Sequence, residues 1–101
     1  MENIYTLVNF ELNKGIEFSE WKKLSADIND DLKNADGLHF RDSGIDDKGN
    51  VYCILKWESD EAHKTFEVSM NKTFAEHPEM MKEFGRIANM ATMITTQVNL
   101  I

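Results

Sequence analysis

Apolar and polar residues alternate over residues 3–12, NIYTLVNFEL, and this period of two predicts a strand. Ile4, Thr6, Val8, Phe10 and Leu12 share one face; Tyr5, Leu7, Asn9 and Glu11 share the other. Asn13-Lys14-Gly15 is a turn signal. The period then lengthens. Phe18, Trp21, Leu24, Ile28, Leu32 and Ala35 recur every three or four positions, which predicts a helix over residues 16–35. Gly37, free to take positive φ, ends it. Residues 38–43 are a short, rather polar strand suited to a sheet edge, and Asp46 to Asn50 form a hairpin turn. Residues 51–58 are apolar on both faces: Val51, Cys53, Leu55 and Trp57 on one, Tyr52 and Ile54 on the other.

Ser59 is a helix N-cap, and Asp60 and Glu61 place negative charge at the positive end of a helix over residues 60–70. Residues 71–77 read as neither helix nor strand. Pro78 opens a further helix over 78–90, with Met81, Phe84, Ile87 or Ala88, and Ala91 inward. Residues 92–100 are β-branched and alternating, a last strand.

The order β-α-β-β-α-β, with the second helix broken in two, is the ferredoxin-like α+β plan. Its first and third strands lie in the centre of the sheet, and here those are the two strands with apolar residues on both faces. The helices connect on one side, so the other face would expose an apolar patch that soluble monomers avoid. The expectation is a homodimer whose sheets meet face to face, a dimeric α/β barrel. With 101 residues, the chain is one domain spanning 1–101.

Composition narrows the partners. A net charge of −7 sets the chain against phosphate backbones, so no nucleic-acid partner is expected. No apolar run approaches the ~18 residues of a membrane span. One cysteine cannot form an internal disulfide, and no basic leader is visible, which together read as a cytoplasmic protein. The acidic turn at Asp46 lacks the further ligands of a calcium loop. His39, His63 and His77 show no metal-ligand spacing, so no metal site is expected.

The strand ending in KWES, the DEAH that follows, the later F-x-x-H at Phe74 to His77 and the opening LVNFELNKG resemble the dimeric α/β-barrel proteins of the antibiotic-biosynthesis-monooxygenase type. The resemblance covers nearly the whole chain. It implies a cofactor-independent monooxygenase acting on a small aromatic or quinol-type compound; the alternative is a non-catalytic small-molecule-binding or stress-associated protein with the same cavity. Such a monooxygenase supplies an apolar pocket, a proton acceptor and hydrogen-bond donors for the oxygenated intermediate. His77 or His63 would accept the proton, Asn9 would hold the intermediate, and Trp57, Phe66, Tyr52, Phe74 and Met81 would line the pocket of a small apolar or aromatic ligand. Each has a plainer alternative: Trp57 as a core residue, His63 at a helix surface, His77 satisfying freed backbone groups at the helix break, Asn9 bonded to a neighbouring strand.

The haem-degrading branch of the same fold is the third reading, with His77 as iron ligand. Its first-strand asparagine falls one position from Asn9, Phe66 stands where its tryptophan falls, and His77 fits only with one extra residue. The quinol-oxidising branch often has histidine where this chain has Phe66. No cofactor is therefore expected.

Overall fold

The computed structural model describes residues 3–101. Its elements run β1 (Ile4–Leu12), α1 (Phe18–Leu32), β2 (Leu38–Ile45), β3 (Asn50–Trp57), α2 (Asp60–Glu76), α3 (Pro78–Ile87) and β4 (Ala88–Asn99). The four strands form one antiparallel sheet in the order β2-β3-β1-β4. The two strands with apolar residues on both faces are the central ones, and the polar strand β2 is at an edge, as the pattern predicts.

Register sorts the side chains. Ile4 pairs with Trp57, Thr6 with Leu55 and Phe10 with Val51, on the face that the helices cover. Ile4, Phe10, Val51 and Trp57 are almost wholly buried there. The opposite face carries Tyr5, Leu7 and Asn9 beside Lys56, Ile54 and Tyr52 on β3 and beside Val98, Thr96 and Ile94 on β4. Tyr52, Ile54, Ile94 and Val98 are exposed on this uncovered face.

Two aromatic groups pin the helices. Phe10 meets Trp21 edge-on with ring centroids 5.0 Å apart, and Phe84 packs on both, so α1 and α3 share one anchor on β1. Truncating such a residue to alanine costs roughly 3–5 kcal/mol. The Trp21 indole N–H donates to Ser43 Oγ at 3.1 Å, and Arg41 Nη1 donates to Ser25 Oγ and Asn29 Oδ1, tying α1 to β2. At the other end of the sheet Trp57 stacks against Phe66 at 5.1 Å and His63 at 5.7 Å, which seats α2.

Several element boundaries differ from expectation. Helix α1 starts at Phe18 because the Glu20 carboxylate accepts from the Glu17 backbone N–H at 3.3 Å and closes its first turn. Phe18 is therefore at the helix mouth and 36% exposed. Residues 71–76, unassigned by pattern, continue α2 to Glu76. Helix α3 stops at Ile87 and β4 begins directly at Ala88, not at residue 92. The Asn13 amide explains this: Nδ2 donates to the carbonyls of Gly85, Arg86 and Ala88, and the Asn13 N–H donates to Ile87 O at 2.9 Å. The terminal carbonyls of α3 are satisfied from β1, so no further helical turn is needed. Among the described residues no helix is long and apolar enough to cross a membrane.

Candidate functional site

The two helical arms leave a cleft between α1 and the α2–α3 pair. It consists of two adjoining cavities of about 570 Å³ and about 450 Å³ that share Asp31, Met70 and Met80. Leu32 and Ala35 on one side and Ala62, Phe66 and Thr73 on the other wall the larger cavity, with His77 at its end. Leu24, Ile28, Phe74 and Phe84 wall the smaller one. Helix α2 reaches this cleft with one stripe: Ala62, Phe66, Met70 and Thr73 or Phe74 follow at steps of three and four.

His77 sits at the break between α2 and α3. Its φ of −130° and ψ of 70° are not helical, and its N–H still donates to Thr73 O at 2.9 Å. Pro78 cannot donate to that turn and starts α3 instead. The ring is exposed at the rim, with Nδ1 3.2 Å from Glu79 Oε1.

The other predicted site residues divide. Phe66 lines the larger cavity and Phe74 the smaller. Trp57 lines neither; it is wholly buried beneath α2, and its indole N–H has no partner among the described residues. His63 is buried against Trp57 outside both cavities, with Nε2 3.1 Å from Glu67 Oε1 and Nδ1 without a partner among the described residues. Met81 points away and is 39% exposed; its neighbour Met80 takes the expected place. Asn9 and Tyr52 are register partners on the uncovered sheet face. There Asn9 Nδ2 reaches Val51 O at 3.4 Å and the Tyr52 hydroxyl donates to Asp46 Oδ2 at 3.1 Å. Strand alternation separates both from the cleft by the thickness of the sheet. His39 is exposed on β2, also outside the cleft.

Charge around the cleft is largely acidic. Arg86 binds Glu83 at 2.6 Å and Glu20 at 3.0 Å, and holds the Glu83 carboxyl below its ordinary value. At the start of α2, Lys64 and Gln97 hydrogen-bond Asp60 and lower it likewise. Beyond the sheet's other face, the Asp46 carboxylate raises the Tyr52 phenol above its ordinary value, so that hydroxyl stays a donor.

No protein-family model matches the chain, and no curated protein matches it. Solved structures do. A candidate antibiotic biosynthesis monooxygenase from Bordetella bronchiseptica is similar with a TM-score of 0.72 at 13% identity, over 100% of this chain and 99% of that one. The chain has the antibiotic-biosynthesis-monooxygenase fold. A monooxygenase from the gene ActVA-Orf6 of Streptomyces coelicolor, in complex with nanaomycin D, is similar at 0.70 and 14% identity, over 99% of this chain and 88% of that one. A dimeric ferredoxin-like protein of unknown function from Thermobifida fusca follows at 0.67 and 10%, over 98% and 92%. At such identities the likeness is one of fold, and the fold hosts more than one chemistry.

The residues around His77 do not fit haem. Haem brings two propionates, whereas the ionised side chains lining the two cavities are the carboxylates Asp27, Asp31, Asp36, Glu79 and Glu83, with Glu79 3.2 Å from the imidazole. Among the described residues no three His, Cys, Asp or Glu side chains are grouped to hold a metal ion.

The cleft residues missed from sequence are Leu24, Ile28 and Leu32 on α1 and Met80 and Phe84 on α3. The helical spacing of Leu24, Ile28, Leu32 and Phe84 was visible but assigned them to a core, and it put Met81 inward in place of Met80. Nothing in the spacing tells a stripe that meets a packed sheet from one that meets an open cleft.

Proposed function

We propose that the protein binds a small apolar or aromatic molecule in the cleft between α1 and α2–α3, and that it acts there as a cofactor-independent monooxygenase on an aromatic or quinol-type compound. The observation that carries this reading is a single imidazole, His77, at the rim of an apolar cleft large enough for an aromatic ring system. The monooxygenase-like fold accords with it.

In this mechanism His77 takes a proton from the activated carbon or hydroxyl of the substrate. The resulting carbanion or phenolate gives an electron to O2, the radical pair combines into a peroxide anion, and the His77 imidazolium returns its proton to give the hydroperoxide. Loss of water from the hydroperoxide leaves a carbonyl, with one oxygen atom in the product and the other in water. All the electrons come from the substrate. Asn9 cannot hold the intermediate from the far side of the sheet; Asn34 and Thr65 bring polar groups to the larger cavity instead.

Oxygen uptake with a panel of quinols and anthrones tests the reaction. A general base contributes about 10²- to 10⁴-fold. His77→Ala is expected to lower turnover by roughly hundredfold or more with an unchanged circular-dichroism spectrum, and a wild-type rate in that variant would refute the assignment. The second reading is a non-catalytic binding protein. The 55% exposure of the His77 ring favours it, because an acceptor so open to water has a poor hold on its proton path. Ligand binding without oxygen uptake across the panel would decide for it.

The uncovered sheet face belongs to the same proposal. Tyr5, Leu7, Ile54 and Ile94 form an apolar surface that a second copy of the chain would cover, giving a homodimer of α/β-barrel form.

A further inference from the structure

The walls of the cleft are apolar, but its rim is charged in one sense. Asp27, Asp31, Glu79 and Glu83 stand around the smaller cavity, and Asp31 and Asp36 stand at the larger. No lysine or arginine lines either cavity among the described residues. Two of these carboxylates are engaged: Glu83 with Arg86 and Glu79 with His77. Asp27, Asp31 and Asp36 have no ion-pair partner among the described residues. Asp27 and Asp31 are one turn apart on α1, so their carboxylates emerge along the same edge of the cleft. The net charge of −7 adds to the same field.

An apolar trough with such a rim discriminates by charge. A carboxylate or phosphate on the ligand meets repulsion from several sides, and the one arginine bonded to this rim, Arg86, is already held by Glu83 and Glu20. A protonated amine meets attraction from Asp27 and Asp31 while its apolar body rests on Met70, Phe74 and Met80. Methionine and aromatic walls adapt to bodies of different outline. We infer that the cleft selects lipophilic cations, and that its substrate class is an aromatic compound bearing a protonated amine. This rests on reading the cleft as the ligand site and narrows it.

Three probes of one shape test it by calorimetry: naphthylmethylammonium, naphthylmethanol and naphthoate, each at low and high salt. The ammonium should bind about tenfold more tightly than the alcohol at low salt, and the naphthoate most weakly. Salt should shrink that gap, since the rim carboxylates are exposed. Asp27→Asn combined with Asp31→Asn should remove most of the ammonium's advantage over the alcohol. Equal affinities, or an advantage that survives the double substitution, overturns the cation selectivity and leaves the ligand cleft standing. Alcohol binding that is absent, or indifferent to Phe74→Ala, overturns both.

Discussion

Gly37 is where the loop after α1 comes closest to α2, and a single methyl group there probes the geometry of the cleft. Its φ is +80°, and a Cβ at this position would lie 2.6 Å from Ala62 Cβ and 3.0 Å from Glu58 Cγ. The Glu58 side chain can turn away. Ala62 cannot, because it is fixed in the first turn of α2, where its N–H donates to Ser59 Oγ at 3.1 Å. The Gly37 carbonyl also accepts from Glu58 N–H at 2.8 Å, so the loop cannot withdraw without breaking that bond. Gly15 and Gly49 serve as controls: both have φ of +85° and open space around the missing Cβ. Left-handed backbone costs a non-glycine residue roughly 1–2 kcal/mol, and that should be the whole loss in Gly15→Ala and Gly49→Ala. Overpacking adds roughly 1–3 kcal/mol, so Gly37→Ala should lose roughly 2–5 kcal/mol in urea unfolding. Ala62→Gly alone should cost up to ~1 kcal/mol in helix propensity. In the Gly37→Ala background it should cost less, or stabilise, because it removes the methyl that is struck. A Gly37→Ala variant no less stable than Gly15→Ala, or a double-mutant cycle without coupling, would refute the close approach and with it the shape of the larger cavity.

Sedimentation equilibrium at micromolar concentration should show a dimer, and Ile54→Glu, on the uncovered sheet face, should convert it to monomer; a monomeric wild type refutes the face-to-face assembly. Asp46 accepts from the backbone N–H groups of Asn50 and Lys48, both at 2.9 Å, and these bonds hold its carboxyl below the ordinary value of 3.8. A depressed carboxyl stabilises the fold above its unfolded pKa and loses that contribution as pH falls through its folded one. Asp46→Ala should therefore be less stable than the wild type at neutral pH, with the difference shrinking below about pH 4. A difference that persists unchanged in stronger acid would show that the turn does not depend on the charge.

The sheet was legible because strand position leaves a mark on both faces of a strand. β1 and β3 have neighbours on each side and apolar residues on each face, and β2, with one neighbour, is polar. Pro78 marked the helix break for an equally local reason: it has no N–H to give. Two of the misjudged boundaries had causes outside the window that pattern reading uses. Residues 71–76 look indifferent because Asn71, Lys72, Ala75 and Glu76 face water, while only Thr73 and Phe74 face the cleft. The end of α3 is set by Asn13, which is adjacent only once β1 and β4 have paired.

The site was harder to read than the fold, and the reason is the same alternation that made the sheet clear. Parity put Asn9 and Tyr52 on the face away from Ile4, Val51 and Trp57, so it already opposed a pocket holding all of them. A search by chemical type gathers residues that could do chemistry and takes no account of the layer between them. Size misleads in another way. Trp57 and His63 are the kind of side chains that line pockets, yet they fill the seat of α2, because a short helix start over the sheet end needs bulk to rest on. His77 lies at the helix break that Pro78 marks, at the end of the larger cavity. A residue before a proline, between two helices, cannot turn inward as part of either stripe, so it stands at the mouth of whatever the helices enclose. In a fold whose cleft lies between helices and whose core lies on the sheet, the helix breaks and the outer edges of the stripes therefore carry the candidate chemistry. Asp27 and Asp31 on α1 are such an edge, polar positions beside the apolar stripe that α2 and α3 turn into a cleft wall.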